Sequence, residues 1–332
     1  MRLLGQTLLC RVIAEHSFHT GQSTSARCAL TPRNNFLLSS MVSHPHCRNF
    51  SAKSTPVDLS SEPYIPPNGN TTDGAVVILH GLFGSKRNFA SLCKAFVRDL
   101  NRPVYALDLR NHGSSPHTTP MNYESMAADV SHFITKNNLK EVSLLGHSMG
   151  GKVAMTLALS SSLPSLSNLI ISDIAPVRSS LSPSFQRYLK VMSDIEDPAT
   201  DVRTREAADK ILQTVEKDLS IRQFLLTNLM LPSNPSDKTV KFKIPIATLK
   251  GAIAALGSFP FALDEGRQWH GRTLVVKGAK SDYITDDSIA IFNAFFPNAK
   301  VEVLDTGHWV HAEKPNEFKR IFVDFILETT SS

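Results

Sequence analysis

Between residues 75 and 304 the chain returns six times to a short, continuous apolar run: AVVILH (75–80), PVYALD (103–108), VSLLG (142–146), NLIISD (168–173), TLVVKG (273–278) and KVEVL (300–304). A strand that is apolar at consecutive positions must be covered on both faces, which an antiparallel sheet open to water does not allow. Segments of helical period separate the runs. Residues 86–100 place Phe89, Leu92, Cys93, Phe96 and Leu100 on one face, and 122–137 does the same with Met126, Val130, Phe133 and Ile134. Further helices are predicted at 149–160, 286–296 and 314–328. The pattern predicts an α/β chain with a mostly parallel central sheet and helices on both faces. One stretch, 177–268, breaks the alternation. Its helical patterns (Phe185, Leu189, Met192; Ile211, Leu212, Val215, Leu219) and the run FLLTNLML (224–231) read as a helical cap inserted before the last two strands.

Charge divides the chain. Residues 1–57 hold Arg2, Arg11, Arg27, Arg33, Arg48 and Lys53 against the single acid Glu15, while the rest balances 29 bases with 29 acids. A basic, acid-poor, Ser/Thr-rich leader with Leu3, Leu4, Leu8, Leu9 and Val12 near one helical face reads as a mitochondrial transit peptide. We therefore expect residues 1–55 to be a disordered leader, 56–330 to be the folded domain, and the location to be mitochondrial. A neutral body without a basic stripe gives no support to nucleic-acid binding. No apolar run reaches the ~18–20 residues of a membrane-spanning helix. Cys10, Cys28 and Cys47 lie in the leader and only Cys93 in the body, so a body disulfide and a cysteine-based zinc site are excluded.

The stretch Gly146-His147-Ser148-Met149-Gly150 follows a predicted strand and opens a predicted helix. A serine there can be a helix N-cap. In this context G-x-S-x-G also reads as a nucleophile elbow, a turn too tight for larger neighbours that lifts the hydroxyl clear of the sheet. A serine nucleophile needs a base. Of twelve histidines only His270, His308 and His311 follow Ser148. His308, in DTGHWVH directly after strand 300–304, sits on a loop at the sheet edge where ligands bind in such folds. His311 reads as structural and His270 as a surface residue.

Two aspartates compete to orient the imidazole. Asp173 ends strand 168–173, and Asp282 follows strand 273–278. Position alone favours Asp282. The turn His80-Gly81-Leu82-Phe83-Gly84 after the first strand is placed to supply an oxyanion N–H from Leu82 or Phe83, the other coming from Met149 after the nucleophile.

Several motifs in chain order carry a family resemblance: HGLFGSKRNF (80–89), LDLRNHGSSPH (107–117), MNYESMAADV (121–130), GHSMGGKVAM (146–155), DIAPV (173–177), FLLTNL (224–229) and GHWVHAEKP (307–315). Together they resemble the α/β-hydrolase superfamily, and within it the α/β-hydrolase domain-containing protein eleven group. That group includes mitochondrial serine hydrolases, bacterial esterases and yeast ethanol acetyltransferases. The resemblance implies the α/β-hydrolase fold. It also implies that the acid is the aspartate of D-I-[AS]-P-V, here Asp173. The alternative late-strand pattern G-x-x-D meets Ser281 three residues after Gly278, leaving Asp282 one place out of register.

The expected function is a serine hydrolase of carboxylic esters or thioesters. Ser148, His308 and Asp173 form its triad, Leu82 and Met149 its oxyanion hole, and an acyl-enzyme its intermediate; no metal or organic cofactor is required. Its partner is a small acyl ester or thioester. Phe185, Phe224, Leu225 and Leu226 in the cap suggest an apolar group on that substrate. The rivals are an alcohol O-acetyltransferase making ethyl acetate from acetyl-CoA and ethanol on the same triad, and a non-catalytic binding protein on this fold.

Overall fold

The computed structural model describes residues 55–160, 163, 165–234 and 239–328; the leader read in the sequence lies outside them. In chain order the elements are β1 (Ser61–Tyr64), β2 (Gly74–Leu79), a 3-10 turn leading into α1 (Ala90–Leu100), β3 (Val104–Leu107), α2 (Tyr123–Lys136), β4 (Lys140–His147), α3 (Met149–Leu159) and β5 (Leu166–Ser172). The cap segment follows with α4 (Pro183–Ile195), α5 (Arg205–Leu212), α6 (Leu219–Leu225), β6 (Leu229–Met230), β7 (Lys241–Phe242), α7 (Ile246–Gly251) and α8 (Ile253–Gly257). The chain then completes the sheet layer with β8 (Arg272–Gly278), α9 (Asp286–Phe295), β9 (Ala299–Leu304), α10 (Val310–Glu313) and α11 (Pro315–Leu327).

Seven strands form one sheet in the order β1-β3-β2-β4-β5-β8-β9, parallel throughout except where β1 runs against β3. Strand β1 was not expected. Its sequence SEPY has no apolar pattern because it is a part-exposed edge strand, held by backbone pairing and not by burial. The cap differs from an all-helical insertion in one respect: β6 and β7 pair as a two-residue antiparallel ribbon.

The period-two alternation of the strands sends side chains to two separate cores. Val76 and Ile78 of β2, Ile170 of β5 and Leu274 and Val276 of β8 meet α1 and α11 on one face, where the rings of Phe96 and Phe322 stack 4.1 Å apart. Val77, Leu79, Leu144, Leu169, Ile171 and Val275 meet α2, α3 and α9 on the other. Removing one such ring from a packed core costs about 3–5 kcal/mol. Local chemistry fixes the helix starts. Asn122 accepts the Ser125 N–H and begins α2. Thr285 and Ser288 cap α9 reciprocally, with Asp286 and Asp287 in its positive first turn.

This topology places a crevice. From β2 the chain passes to α1 on one face, and from the neighbouring β4 to α3 on the other. The loops at the carboxyl ends of β2 and β4 therefore diverge, which is the switch point where open α/β sheets bind ligands. Those two loops carry His80–Gly84 and Ser148.

Candidate active site

Ser148 joins β4 to α3 with φ 52° and ψ −119°, a conformation a non-glycine residue adopts only where its surroundings enforce it. The glycines on either side explain how. A Cβ on Gly146 would lie 2.2 Å from the Gly150 carbonyl oxygen, and one on Gly150 would lie 2.5 Å from that of Leu79. The helix thus enters directly against the ends of β4 and β2. The Ser148 side chain makes no N-cap bond to α3, so the capping role weighed from sequence is not filled.

Asp173 follows β5 and is fully buried, with φ 51°. A buried carboxylate is costly unless hydrogen bonds replace its water. Three donors do so here. The Gly278 N–H donates to Oδ1 (2.9 Å), while His308 Nδ1 (2.8 Å) and the Ser281 hydroxyl both donate to Oδ2. Asp282 is exposed, and the carboxylate that meets His308 is that of Asp173. His308 lies on the loop after β9, its ring stacked on Tyr283 at 4.1 Å. Its carbonyl accepts a hydrogen bond from His147 Nε2 (3.0 Å). The His147 ring packs beside that of His308, and His311 packs edge-on against His147. Burial, then the neighbouring histidines, hold His147 well below its ordinary range, and burial pushes His311 down to about 3. Both stay neutral at pH 7, so a positive charge arising on His308 meets no second imidazolium.

The loop after β2 is pinned from several sides. Phe83, at φ 65°, donates its N–H to His112 Nε2 (3.3 Å), and its carbonyl accepts from Asn228 Nδ2 (2.7 Å). The Phe83 N–H is therefore engaged. No described residue accepts a hydrogen bond from the N–H of Leu82 or Met149. Of the two donors read from sequence in this loop, the geometry leaves Leu82. His80 donates from Nδ1 to the Gly81 carbonyl and accepts the Leu109 N–H at Nε2. Burial lowers His80 and brings His112 down to about 3, which keeps both neutral and able to accept. Asp108 anchors the same region through Lys86 Nζ (2.5 Å) and the N–H groups of Lys86 and Ser114. Arg110 grips Asp129 with two bonds of 2.6 and 2.7 Å, both side chains buried. The motifs LDLRNHG, MAADV and FLLTNL thus act as scaffolding for the loop that faces Ser148.

Two cavities meet at Ser148, and Leu82 and Phe185 border both. The first, about 450 Å³, runs past Met149, Ile174, Val177, Leu256 and Ile291. The second, about 520 Å³, runs past His308, Trp309, Phe224 and Ile221, with Asp218 and Glu313 at its rim. Of the cap residues expected to face substrate, Phe185 and Phe224 line the cavities, whereas Leu225 and Leu226 are buried in the core. His270 is exposed and His311 buried.

The sequence alone gave no role to Lys152, Ser281 or Tyr283. Lys152 is buried beside the first cavity and donates to the carbonyls of Val177 (3.1 Å), Gly257 (2.9 Å) and Ser258 (2.9 Å). It ties α3 to the end of the cap. Burial without a carboxylate partner brings its pKa down to about 8. A lone lysine inside an otherwise apolar helix was the signal available for it. Ser281 carried only its register three residues after Gly278 and Tyr283 no local mark, because their partners lie over 100 and 25 residues away respectively.

Fold and site together define an open α/β protein with a serine elbow at its switch point and a buried aspartate–histidine pair beside it. The chain belongs to the alpha/beta hydrolase fold family, whose model matches residues 74–315. It is 39% identical over 251 residues to an abhydrolase domain-containing protein of Schizosaccharomyces pombe, covering 76% of this chain and 91% of that one. It is 38% identical to a probable alcohol acetyltransferase of Saccharomyces cerevisiae (89% and 92% covered). It is 36% identical to the mouse sn-1-specific diacylglycerol lipase ABHD11 (78% and 83%). Among solved structures, a marine microorganism esterase superposes with a TM-score of 0.69 at 33% identity, over 81% of this chain and 99% of that one.

Proposed function

We propose that the protein is a serine hydrolase that cleaves carboxylic esters through an acyl-enzyme. The observation that carries the reading is the Asp173–His308 bond, with His308 bordering the same cavity as a serine held on a left-handed turn. Ser148 Oγ attacks the acyl carbonyl and His308 Nε2 takes its proton. Asp173 fixes the tautomer with the proton on Nδ1 and stabilises the imidazolium. The N–H groups of Met149 and Leu82 bind the oxyanion. His308 then protonates the leaving alcohol, and water, activated by the same base, releases the acid.

The leaving group must lie within reach of His308, so it belongs in the second cavity and the acyl chain in the apolar first one. The esterase and lipase relatives support hydrolysis. The yeast alcohol acetyltransferase supports a second reading, in which an alcohol replaces water as acceptor from that same second cavity. The deciding assay supplies the purified protein with p-nitrophenyl esters, a diacylglycerol, and acetyl-CoA with ethanol. Ester hydrolysis should dominate. Ethyl acetate formed faster than acetate is released would make the protein a transferase.

Residues 1–55 are proposed as a mitochondrial import leader, supported by their basic, acid-poor composition. Fused to a fluorescent reporter, residues 1–57 should carry it into mitochondria and be shortened. A diffuse, full-length fusion would remove the assignment.

A further inference from the structure

The cap leaves the body and returns to it at one place, beside the nucleophile helix. Val177 stands where the chain passes from β5 to α4, and Gly257 and Ser258 where it passes from α8 toward β8. The two segments touch. The Ser179 N–H donates to the Gly257 carbonyl (3.3 Å), Arg178 Nε donates to that of Phe259 (3.1 Å), and a Cβ on Gly257 would lie 2.5 Å from the Leu181 nitrogen. The buried Lys152 ammonium joins both to α3, through the carbonyls of Val177, Gly257 and Ser258. An ammonium has three N–H donors and accepts nothing. Three carbonyls use them all, so Lys152 keeps no proton for a substrate anion. Its backbone N–H closes the first turn of α3 on the Ser148 carbonyl (3.1 Å). The residue that grips both ends of the cap therefore stands one turn from the nucleophile.

The joined segments form a wall of the first cavity. Val177 and Leu181 line it from the departing segment, Leu256 and Gly257 from the returning one, and Tyr123 and Lys152 from the body. None of these six borders the second cavity. The Tyr123 hydroxyl adds a lesser tie, to the Leu256 carbonyl (2.6 Å). A cation buried beside an apolar cavity is costly, and hydrogen bonds must offset that cost. What an ammonium does here that an apolar side chain cannot is hold three acceptors on two segments together. We infer that Lys152 is a specificity-determining residue: by binding both ends of the cap to α3 it sets the width of the first cavity, and with it the length of acyl chain the protein accepts. The inference rests on the serine-hydrolase reading given above, which puts the acyl chain in that cavity.

The test measures kcat/KM of the full chain on p-nitrophenyl acetate, butyrate and octanoate, with folding of each variant checked by thermal melting. Lys152→Met keeps the length of the side chain but leaves the three carbonyls without their donor, so the cap segments separate and the cavity widens. A methylene gained or lost in an apolar pocket changes specificity by roughly tenfold or more, so the octanoate-to-acetate ratio should rise by at least that factor. Tyr123→Phe removes only the tie to Leu256 and should raise the ratio by less; it is the deciding variant if Lys152→Met does not fold. The ratio of p-nitrophenyl butyrate to methyl butyrate should hold in both variants, because the leaving group lies in the second cavity. General loosening of the fold would move both ratios together. An unchanged or lowered chain-length ratio in the deciding variant, or an equal change in the leaving-group ratio, would overturn the specificity role while leaving the hydrolase reading intact. A wild-type chain that neither turns over any of the esters nor reacts with a fluorophosphonate probe would overturn that reading, and the specificity role with it.

Discussion

Ser148→Ala should lose about 10⁶-fold in kcat on any ester the wild-type protein turns over, the scale seen when a triad serine is removed. That is about 8 kcal/mol of barrier. No other hydroxyl occupies the turn at the switch point, and a methyl group can form no acyl bond. The variant should fold normally, because the Ser148 side chain caps nothing and the elbow is shaped by the close approach of Gly146 and Gly150. Fluorophosphonate labelling, read by intact-mass spectrometry, should add one adduct to the wild type and none to the variant. Labelling or turnover that survives in a folded Ser148→Ala protein would refute the assignment of the nucleophile.

Asp173→Asn should lose about 10⁴-fold in kcat, by analogy with the same exchange in serine proteases. An asparagine is the same size, and its carbonyl can still accept the Gly278 N–H. Its NH2 group would then face His308 Nδ1 and Ser281. The imidazole would have to accept at Nδ1 and so carry its proton on Nε2, where it can no longer take one from Ser148. Asp282→Asn should leave kcat within a few-fold of wild type, because that exposed side chain borders the first cavity without meeting His308. Both variants should be compared at matched folded concentration by circular dichroism. A dead Asp282→Asn beside a mild Asp173→Asn would reverse the two roles.

The elements were legible because their signals are local. Continuous apolar strands and one-sided helices state their own burial, and the structure moves their ends by only a residue or two. Ser148 was legible for the same reason: a serine flanked by glycines at a strand-to-helix junction describes its turn within five residues. The edge strand β1 escaped because it is not defined by burial, and the β6–β7 ribbon because two-residue strands carry no period.

The choice between Asp173 and Asp282 shows where local reading stops. Both follow strands that end at the same sheet edge, so spacing favoured one and family resemblance the other. The choice between Leu82 and Phe83 was also open. Phe83 is withdrawn by His112, a residue 29 positions away, and the loop is held from the cap by Asn228, 145 positions away.

The sequence alone determined the α/β alternation, the elbow and the histidine after the last strand, because each depends on the order and spacing of a few adjacent residues. Only the tertiary structure decided which carboxylate faces His308, which N–H of the loop after β2 is engaged by a distant side chain, and which cap residues line the cavities. Each of those depends on hydrogen bonds and packing between strands, loops and cap far apart in the chain, and burial makes those pairings obligatory: a carboxylate or N–H removed from water must find a partner wherever the fold brings one.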